Sequence, residues 1–504
     1  MIRIFCDRKE KDLKNFWSHI VFHPTDAIED DWGKQHLERM AADKAVRSVR
    51  IYTIFEEMFT LDEQGNLQAD YSKNDFRIDF LLSKGFEPCI AYAFFPLWLA
   101  ADQSEALQAP RYKGNILSLS YPSDYEKWEQ MCRLYTAHIV ERYGEDTVAQ
   151  WYIHCYNEPD LFHFFYKNAP TDEARMVEYC KMYRGFVRGI TAVSTRLKIG
   201  GCALSESDTH FQFLEYFLNY VRDEGLRLDF LSFHSYGTYP NLMADGTKPL
   251  DVRGAIPNTQ AVAKIVRMCG YENLPLVCDE WGASTEGFVG ADKVPELIFR
   301  EDERYSLYYV KMLTLFDELQ LPYERMMLCL SGAHNLKTNF SGHRNFFTRD
   351  YLPKPIYNAY VLAAKLGGEK LYFYHVPAFA DCTVENLSVM PTRHEDGHFS
   401  VLLGYGDDGF NLKLPTKERK IEFNGLDKSY AVTCWLIDSK NANAYSKFLE
   451  LGSPVEPTEA QLAEIRQAGT LKAMPLGTVN AENSTVTVTM ENNAVALLEL
   501  HPEG

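Results

Sequence analysis

The feature that most constrains this chain is an eightfold alternation of strand-like and helix-like segments. "FWSHIVF" (16–22) reads as a strand and "GKQHLERMAADKAV" carries helical spacing. "SVRIYTIF" (48–55) is followed by the helix "SKNDFRIDFLLSKG", closed by Gly85. "EPCIAYAFFP" (87–96) precedes the helix "SDYEKWEQMCRLYTAHIVERYG", with Ser123 as its expected cap and Gly144 near its end. The pattern continues through "VAQWYIHCYN", "LKIGGCAL" (197–204), "LDFLSFHSYG" (228–237), "LPLVCDEWG" (274–282) and "RMMLCLSGA" (325–333), each followed by a helical segment. The last helix, "PKPIYNAYVLAAKLGG", has proline near its start and glycine beyond its end. Eight β/α units in about 350 residues predict a (β/α)₈ barrel. A doubly wound open sheet would usually offer a glycine-rich phosphate turn after its first strand, and "FWSHIVFHPTDAIED" has none.

After about Tyr372 the pattern changes. "HFSVLLGYG", "KIEFNG", "SYAVTCWLID" and "STVTVTMENNAVALLEL" are short strands between turns, with one helical interruption, "PTEAQLAEIRQAG". These predict an appended β-sandwich over 372–504 and a barrel over 1–371, with residues 1–15 able to join the sandwich.

Charge and composition bound the function. The net charge is −18, with no strongly basic cluster, which argues against nucleic acid and anionic membranes as partners. "MIRIFCDRKEKDLKNFW" has no apolar core of a secretory signal, and no run of apolar residues is long enough to span a bilayer. A cytoplasmic protein with reduced, buried thiols is expected from the eleven cysteines, an odd number set mostly in apolar runs and without a CxxC pair. No cofactor is implied. His154, His163, His234 and Asp279 are available to a metal, but HxH and HExxH spacings do not occur, so none is expected.

One strand ends oddly. "WYIHCYNEPDLFHF" (151–164) finishes an apolar run with Asn157, Glu158 and Pro159. In a (β/α)₈ barrel the reacting groups come from the C-terminal ends of the strands. That filter keeps Glu158 after the fourth strand and Glu280, in "VCDEWG", at the end of the seventh. These strands face one another across the barrel mouth, so their carboxylates can converge. Two converging carboxylates suit glycoside hydrolysis: one stays protonated to serve the leaving oxygen and the other stays ionised to attack the anomeric carbon. Ionising one raises the pKa of the other. Pro159 restricts the backbone of Glu158 and the exit from the strand. For a single strand-end glutamate, a rim salt bridge would be the plainer account.

In these motifs the chain resembles glycoside hydrolase family 39, the β-xylosidase and α-L-iduronidase family. Asn15-Phe16-Trp17 is similar to the family's "KFW". "GFEPCIAYAFFPLWLA", "SYPSDYEKWEQMCRLYTAHIVERYG", "NEP", "DFLSFHSY" and "DEW" follow in the family's order. "NANAYSKFLELGSPVEPTEAQLAEIRQAG" resembles a family segment of the last domain. The resemblance implies Glu158 as acid/base and Glu280 as nucleophile of a retaining, double-displacement exo-glycosidase. It implies Asn157 at the sugar's 2-hydroxyl, Tyr236 holding the nucleophile, and His234 on the same floor. Arg50, placed at the end of the second strand, would support the nucleophile's charge, and Trp281 would belong to the sugar site. A buried, satisfied histidine is the plainer account of His234, and a barrel-interior ion pair that of Arg50.

The chain also departs from the family. Tyr52 stands at the histidine position of the family's usual Arg-x-His, Ala91 replaces an acidic residue, and "CLSGAHNLKTNFSGHRNFF" lacks the tryptophan and paired carboxylates after the eighth strand. His334, Asn335 and His343 are the polar candidates there, and Arg344 or Lys337 could grip a carboxylate. These changes fall on sugar-binding positions, so the mechanism stands and the substrate shifts. The expected partner is a small oligosaccharide or glycoconjugate. β-Xyloside leads. An α-L-arabinopyranoside, a β-glucoside or β-galactoside, or an iduronide follows, with a lapsed sugar-binding protein as the rival class. The resemblance also implies homo-oligomer assembly through the C-terminal region.

Overall fold

A computed structural model describes residues 1–206, 209–238, 250–320, 323–332, 336–375 and 386–503. The eight expected strands are His19–Phe22, Ser48–Thr53, Glu87–Tyr92, Tyr152–Cys155, Lys198–Leu204, Phe230–Thr238, Leu276–Ser284 and Tyr323–Leu330. Each pairs in parallel with its chain neighbours, and the eighth returns to the first, closing a barrel. Helices Asp31–Ala42, Ser72–Ser83, Tyr125–Tyr143, Asp172–Thr191, His210–Asp223, Ile256–Met268, Glu303–Glu318 and Pro355–Ala363 follow the strands. Among the described residues no helix is long and apolar enough to cross a membrane.

Two boundaries differ from the sequence pattern for local reasons. The helix Tyr125–Tyr143 is capped by Asp124, whose carboxylate accepts from the backbone N–H of Glu126 and Lys127, both at 3.0 Å. The Ser123 hydroxyl instead donates to Leu99 O at 2.9 Å. The fourth strand starts at Tyr152 because Gly144, at φ 83°, turns the chain into a short helical turn, Glu145–Val148.

Strand alternation fills the barrel in layers. Val21, Cys89, Tyr152, Phe230, Val277 and Met327 form an apolar plug inside. Above it sit Arg50, His154, His234 and Asp279, each fully buried. The seventh strand breaks its alternation here. Phe233 pairs with Cys278 but His234 pairs with Glu280, so the seventh strand carries an extra residue, Asp279. Such a bulge re-aims side chains. It lets both Asp279 and Glu280 face inward, and it turns Trp281 outward.

Two short hairpins, Phe59–Leu61 with Leu67–Ala69 and Gln108–Pro110 with Ile116–Ser118, stand apart, and nine further strands form one sheet. It runs Met474–Val479, Tyr430–Ile437, Ala494–Pro502, Phe399–Tyr405, Leu387–Arg393, Glu369–His375, Ile2–Asp12, Lys417–Asn424 and Thr485–Met490. Val479 and Val488, from opposite edges of that order, share a core with Ile4, Val401, Ile421 and Leu498. The sheet therefore folds over on itself as a sandwich does. Met390, Leu402, Ile437, Val495 and Leu497 face the other way and join the core of the barrel and its helices.

Candidate active site

Over the C-terminal ends of the strands lies a cleft of about 780 Å³, lined by Asn157, Glu158, Tyr52, Tyr236, Glu280 and Arg344 among others. Arg50 organises its floor. It stands within the second strand rather than at its end, and its guanidinium is fully buried. Nη1 donates to Glu280 Oε1 at 2.7 Å and Nη2 to Asn157 Oδ1 at 2.7 Å. Nε lies 3.0 Å from His154 Nε2 and 3.1 Å from Asp279 Oδ2. With Oδ1 of Asn157 occupied, its amide NH₂ is the group left for a ligand.

Glu280 accepts two further hydrogen bonds. The Tyr236 hydroxyl donates to Oε2 at 2.8 Å and the Tyr52 hydroxyl to Oε1 at 3.3 Å. Arg344 Nη1 in turn donates to the Tyr236 hydroxyl at 3.0 Å. Burial opposes ionisation of Glu280, but His234, Arg50 and Arg344 outweigh it and hold the carboxyl well below the usual range. Burial, with the charge of Glu280 added, keeps both phenols protonated as donors.

Glu158 is held differently. It lies on the loop just past the fourth strand, at φ 44°, a left-handed conformation that a side chain bearing Cβ adopts at a cost of about 1–3 kcal/mol. The extended backbone expected before a proline is not adopted. The Glu158 N–H donates to Ala203 O at 2.9 Å, and its Oε1 lies 2.8 Å from His234 Nδ1, so both ends of the residue are fixed. Burial pushes the Glu158 carboxyl above the ordinary value, against the lowering effect of His234. His234 is buried, which disfavours its charge, but Glu280, Asp279 and Glu158 surround it and raise its pKa to about 9.

One carboxylate oxygen each of Glu158 and Glu280 and a ring nitrogen of His234 lie within 4.8 Å of one another. These donors could surround a cation in principle. The surrounding carboxylates favour the protonated imidazole, which has no free lone pair, so a cation held there would have to displace that proton. The arrangement can supply a proton donor and an ionised nucleophile on facing walls of one cleft.

Glu158, Glu280, Asn157, His234, Tyr236, Arg50 and Tyr52 thus come together. Trp281 does not join them: its ring is fully buried, stacked on Tyr308 and Tyr309 outside the barrel strands. His334 and Asn335 lie outside the described residues. His343 Nδ1 is 2.9 Å from the Ser341 hydroxyl and is not part of the cleft lining, while Lys337 is exposed. Sequence reasoning missed His154 and Asp279 as partners of Arg50, and His23 and Arg111 as cleft residues. The inward alternation of the fourth strand could have found His154; the two cleft residues lie on loops and carry no periodic signal.

A closed (β/α)₈ barrel with facing glutamates, one just past strand four and one within strand seven rather than at its end, defines the class: a glycoside hydrolase. The family model of glycosyl hydrolases family 39 matches residues 1–481, and the chain belongs to that family. A β-xylosidase of Caldicellulosiruptor saccharolyticus is 26% identical over 490 residues, covering 94% of this chain and 92% of that protein. A β-xylosidase of Geobacillus stearothermophilus is 22% identical over 415 residues, covering 78% of this chain and 72% of that one. The crystal structure of a monomeric β-xylosidase from Caulobacter crescentus CB15 superposes with a TM-score of 0.80 at 20% identity, covering 100% of this chain and 99% of that one.

Proposed function

We propose that the protein is a retaining exo-glycosidase that removes a non-reducing terminal sugar, with a β-xyloside as the leading substrate. The observation that carries this reading is the pair Glu158 and Glu280, with oxygens no more than 4.8 Å apart and opposite electrostatic settings. Retaining enzymes hold their carboxyl groups about 5–5.5 Å apart, whereas inverting ones leave about 6.5–9.5 Å for a water. The cleft volume falls in the range of small-molecule sites, which suits a short substrate. Relatives named β-xylosidases lend the xyloside its place at the head of the substrates.

In the first step ionised Glu280 attacks the anomeric carbon as the glycosidic bond breaks. Protonated Glu158 gives its proton to the departing oxygen, and a glycosyl-enzyme ester forms on Glu280. Glu158, now ionised and still held by protonated His234, takes a proton from water. The resulting hydroxide equivalent attacks the same carbon, and the ester bond to Glu280 breaks. Tyr236, Tyr52 and Arg50 hold the two oxygens of Glu280, and the Asn157 amide, its Oδ1 taken by Arg50, would donate to the sugar beside the reacting carbon, a contact expected to tighten in the transition state.

A panel of aryl glycosides, read with the product anomer by NMR, tests this. Hydrolysis with retention is expected on at least one sugar, β-xyloside first. Glu280→Ala is expected to lower kcat by at least about 10³-fold. Glu158→Gln is expected to lower it roughly 10²–10⁴-fold where the leaving group needs a proton. Activity surviving Glu280→Ala would remove Glu280 as nucleophile, and an inverted product would remove the mechanism. Inactivity across the whole panel would leave a sugar-binding protein.

A further inference from the structure

Glu158 stands on a piece of chain that would not keep its shape alone. Tyr156, Glu158 and Ala203 take left-handed φ angles of 64°, 44° and 50°. Each bears a Cβ, so each conformation persists only where the surroundings over-determine it. Pro159 adds to this, because the residue before a proline favours extended backbone. Left to itself, the loop would relax, and the Glu158 carboxyl would leave the His234 ring, 2.8 Å away.

The chain at the end of the fifth strand supplies the hold. The Glu158 N–H donates to Ala203 O at 2.9 Å, and the Ala203 N–H donates to the Ser232 hydroxyl of the sixth strand at 3.0 Å. Two residues beyond each partner of the first contact lies a second fastening. Asp160 accepts twice from Ser205, from its backbone N–H into Oδ1 at 3.0 Å and from its hydroxyl into Oδ2 at 2.7 Å. Both residues are buried. Hydrogen bonds to an ionised carboxylate are roughly twice as strong as neutral ones. The Glu158–Ala203 and Asp160–Ser205 contacts bracket Pro159, so the loop is tied to the fifth strand on both sides of the turn. Ser205 lines the cleft and Asp160 does not, which places Asp160 behind the proton donor and out of reach of a ligand. Burial raises the Glu158 carboxyl, and the charges of Glu280 and Asp160 add to that effect, so the side chain that ties the loop also favours the protonated donor.

Resting on the reading of Glu158 as the acid/base, we propose that Asp160 is a positioning residue for the proton donor: by clasping Ser205 just past the fifth strand it keeps the Glu158 carboxyl facing the departing oxygen. The consequence is selective. A displaced acid slows only the substrates whose leaving oxygen needs a proton, whereas a residue that merely holds the fold together slows all substrates alike.

The test uses the full chain and two aryl glycosides of the sugar it hydrolyses fastest, one with a dinitrophenyl leaving group and one with a phenyl. The ratio kcat/KM reports the step in which that group departs. D160A is expected to lower kcat/KM on the phenyl glycoside about 10²-fold, the cost of misplacing a reacting group. The loss on the dinitrophenyl glycoside, whose oxygen departs without a proton, is expected to be about 10-fold smaller or less still. D160N, whose Oδ1 can still accept from the Ser205 N–H, is expected to restore part of the phenyl activity. An equal loss on both substrates, or no loss on either, overturns the proposal. Glu158→Gln on the same pair is the reference. If it shows no difference between the leaving groups, or if no glycoside is hydrolysed at all, the acid/base reading fails and takes this proposal with it. A difference in Glu158→Gln without one in D160A overturns the positioning role alone. Should D160A not fold, S205A decides, since it removes one bond of the same clasp: a selective loss of roughly 3-fold or more on the phenyl glycoside is expected, and none overturns the proposal.

Discussion

Arg50 and His234 together fix which carboxylate is ionised. Arg50 touches only Glu280 of the pair, whereas His234 lies 2.8 Å from Glu158 and 3.7 Å from Glu280. Removing the imidazole charge therefore acts on both acids with the same sign. Burial raises Glu158 and His234 lowers it, so without His234 the Glu158 carboxyl rises further. Glu280 loses the largest of the groups holding it down, so it rises too. The acid limb of a pH–rate profile follows ionisation of the nucleophile and the alkaline limb follows loss of the donor's proton. Both limbs are expected to move to higher pH in His234→Asn, with lower kcat throughout. A shift of one limb alone, or of the two in opposite directions, would mean that His234 does not carry the charge between them. Stability has its own sign: the His234 pKa is raised, so its contribution is complete below the unfolded value near 6.5 and is lost as pH rises through about 9.

At the scale of elements, the ends of the fourth and seventh strands decide the geometry. The convergence of Glu158 and Glu280 was legible because the C-terminal halves of barrel strands open on one mouth, but Glu158 lies past its strand and Glu280 within one that runs on to Ser284, so the apolar runs marked neither end. What lies between was not legible. Strict alternation admits one inward residue of Asp279 and Glu280, and the bulge that admits both depends on pairing with the sixth strand, which sequence period does not encode. The same bulge explains why Trp281, adjacent to a site glutamate, packs on Tyr308 and Tyr309. Beyond the seventh strand, Gly287 approaches Arg344 so closely that an added Cβ would lie 2.2 Å from Nη2. Gly287→Ala must displace that guanidinium, which supports the Tyr236 hydroxyl and through it Glu280. Its expected effect is a fall in kcat of roughly 10-fold, since small misplacements of a reacting group can cost as much as 10²-fold. The melting temperature should change little, because the site lies on a loop. Unchanged kinetics in a folded Gly287→Ala protein would mean that Arg344 does not position the nucleophile.

Across the whole molecule, the first residues of the chain join its last. The strand Ile2–Asp12 lies between Glu369–His375, its antiparallel neighbour, and Lys417–Asn424, its parallel one. In the strand order it is the sole link between the Lys417–Asn424 and Thr485–Met490 pair and the other strands of the sheet. Ile2 and Ile4 are buried in the sheet's core. Lys11 and the largely buried Lys370 both pair with Asp317 on a barrel helix, at 2.6 Å each, so the same region ties sheet to barrel. Removing residues 1–12 strips one wall from that core and frees the outer pair. Loss of the two isoleucines alone removes roughly 3–6 kcal/mol of burial, comparable with the stability of a whole domain. Ile4→Asp is the gentler version: it sets a carboxylate without a cationic partner into the same core, and a destabilisation of about 3 kcal/mol or more is expected by denaturant titration. Limited proteolysis should then cut first within 417–424 and 485–490, while cleavage in barrel strands comes later. If the barrel segments were cut first, the sheet would be stable without its N-terminal strand, and the seam between the two ends of the chain would be closed by the barrel contacts instead.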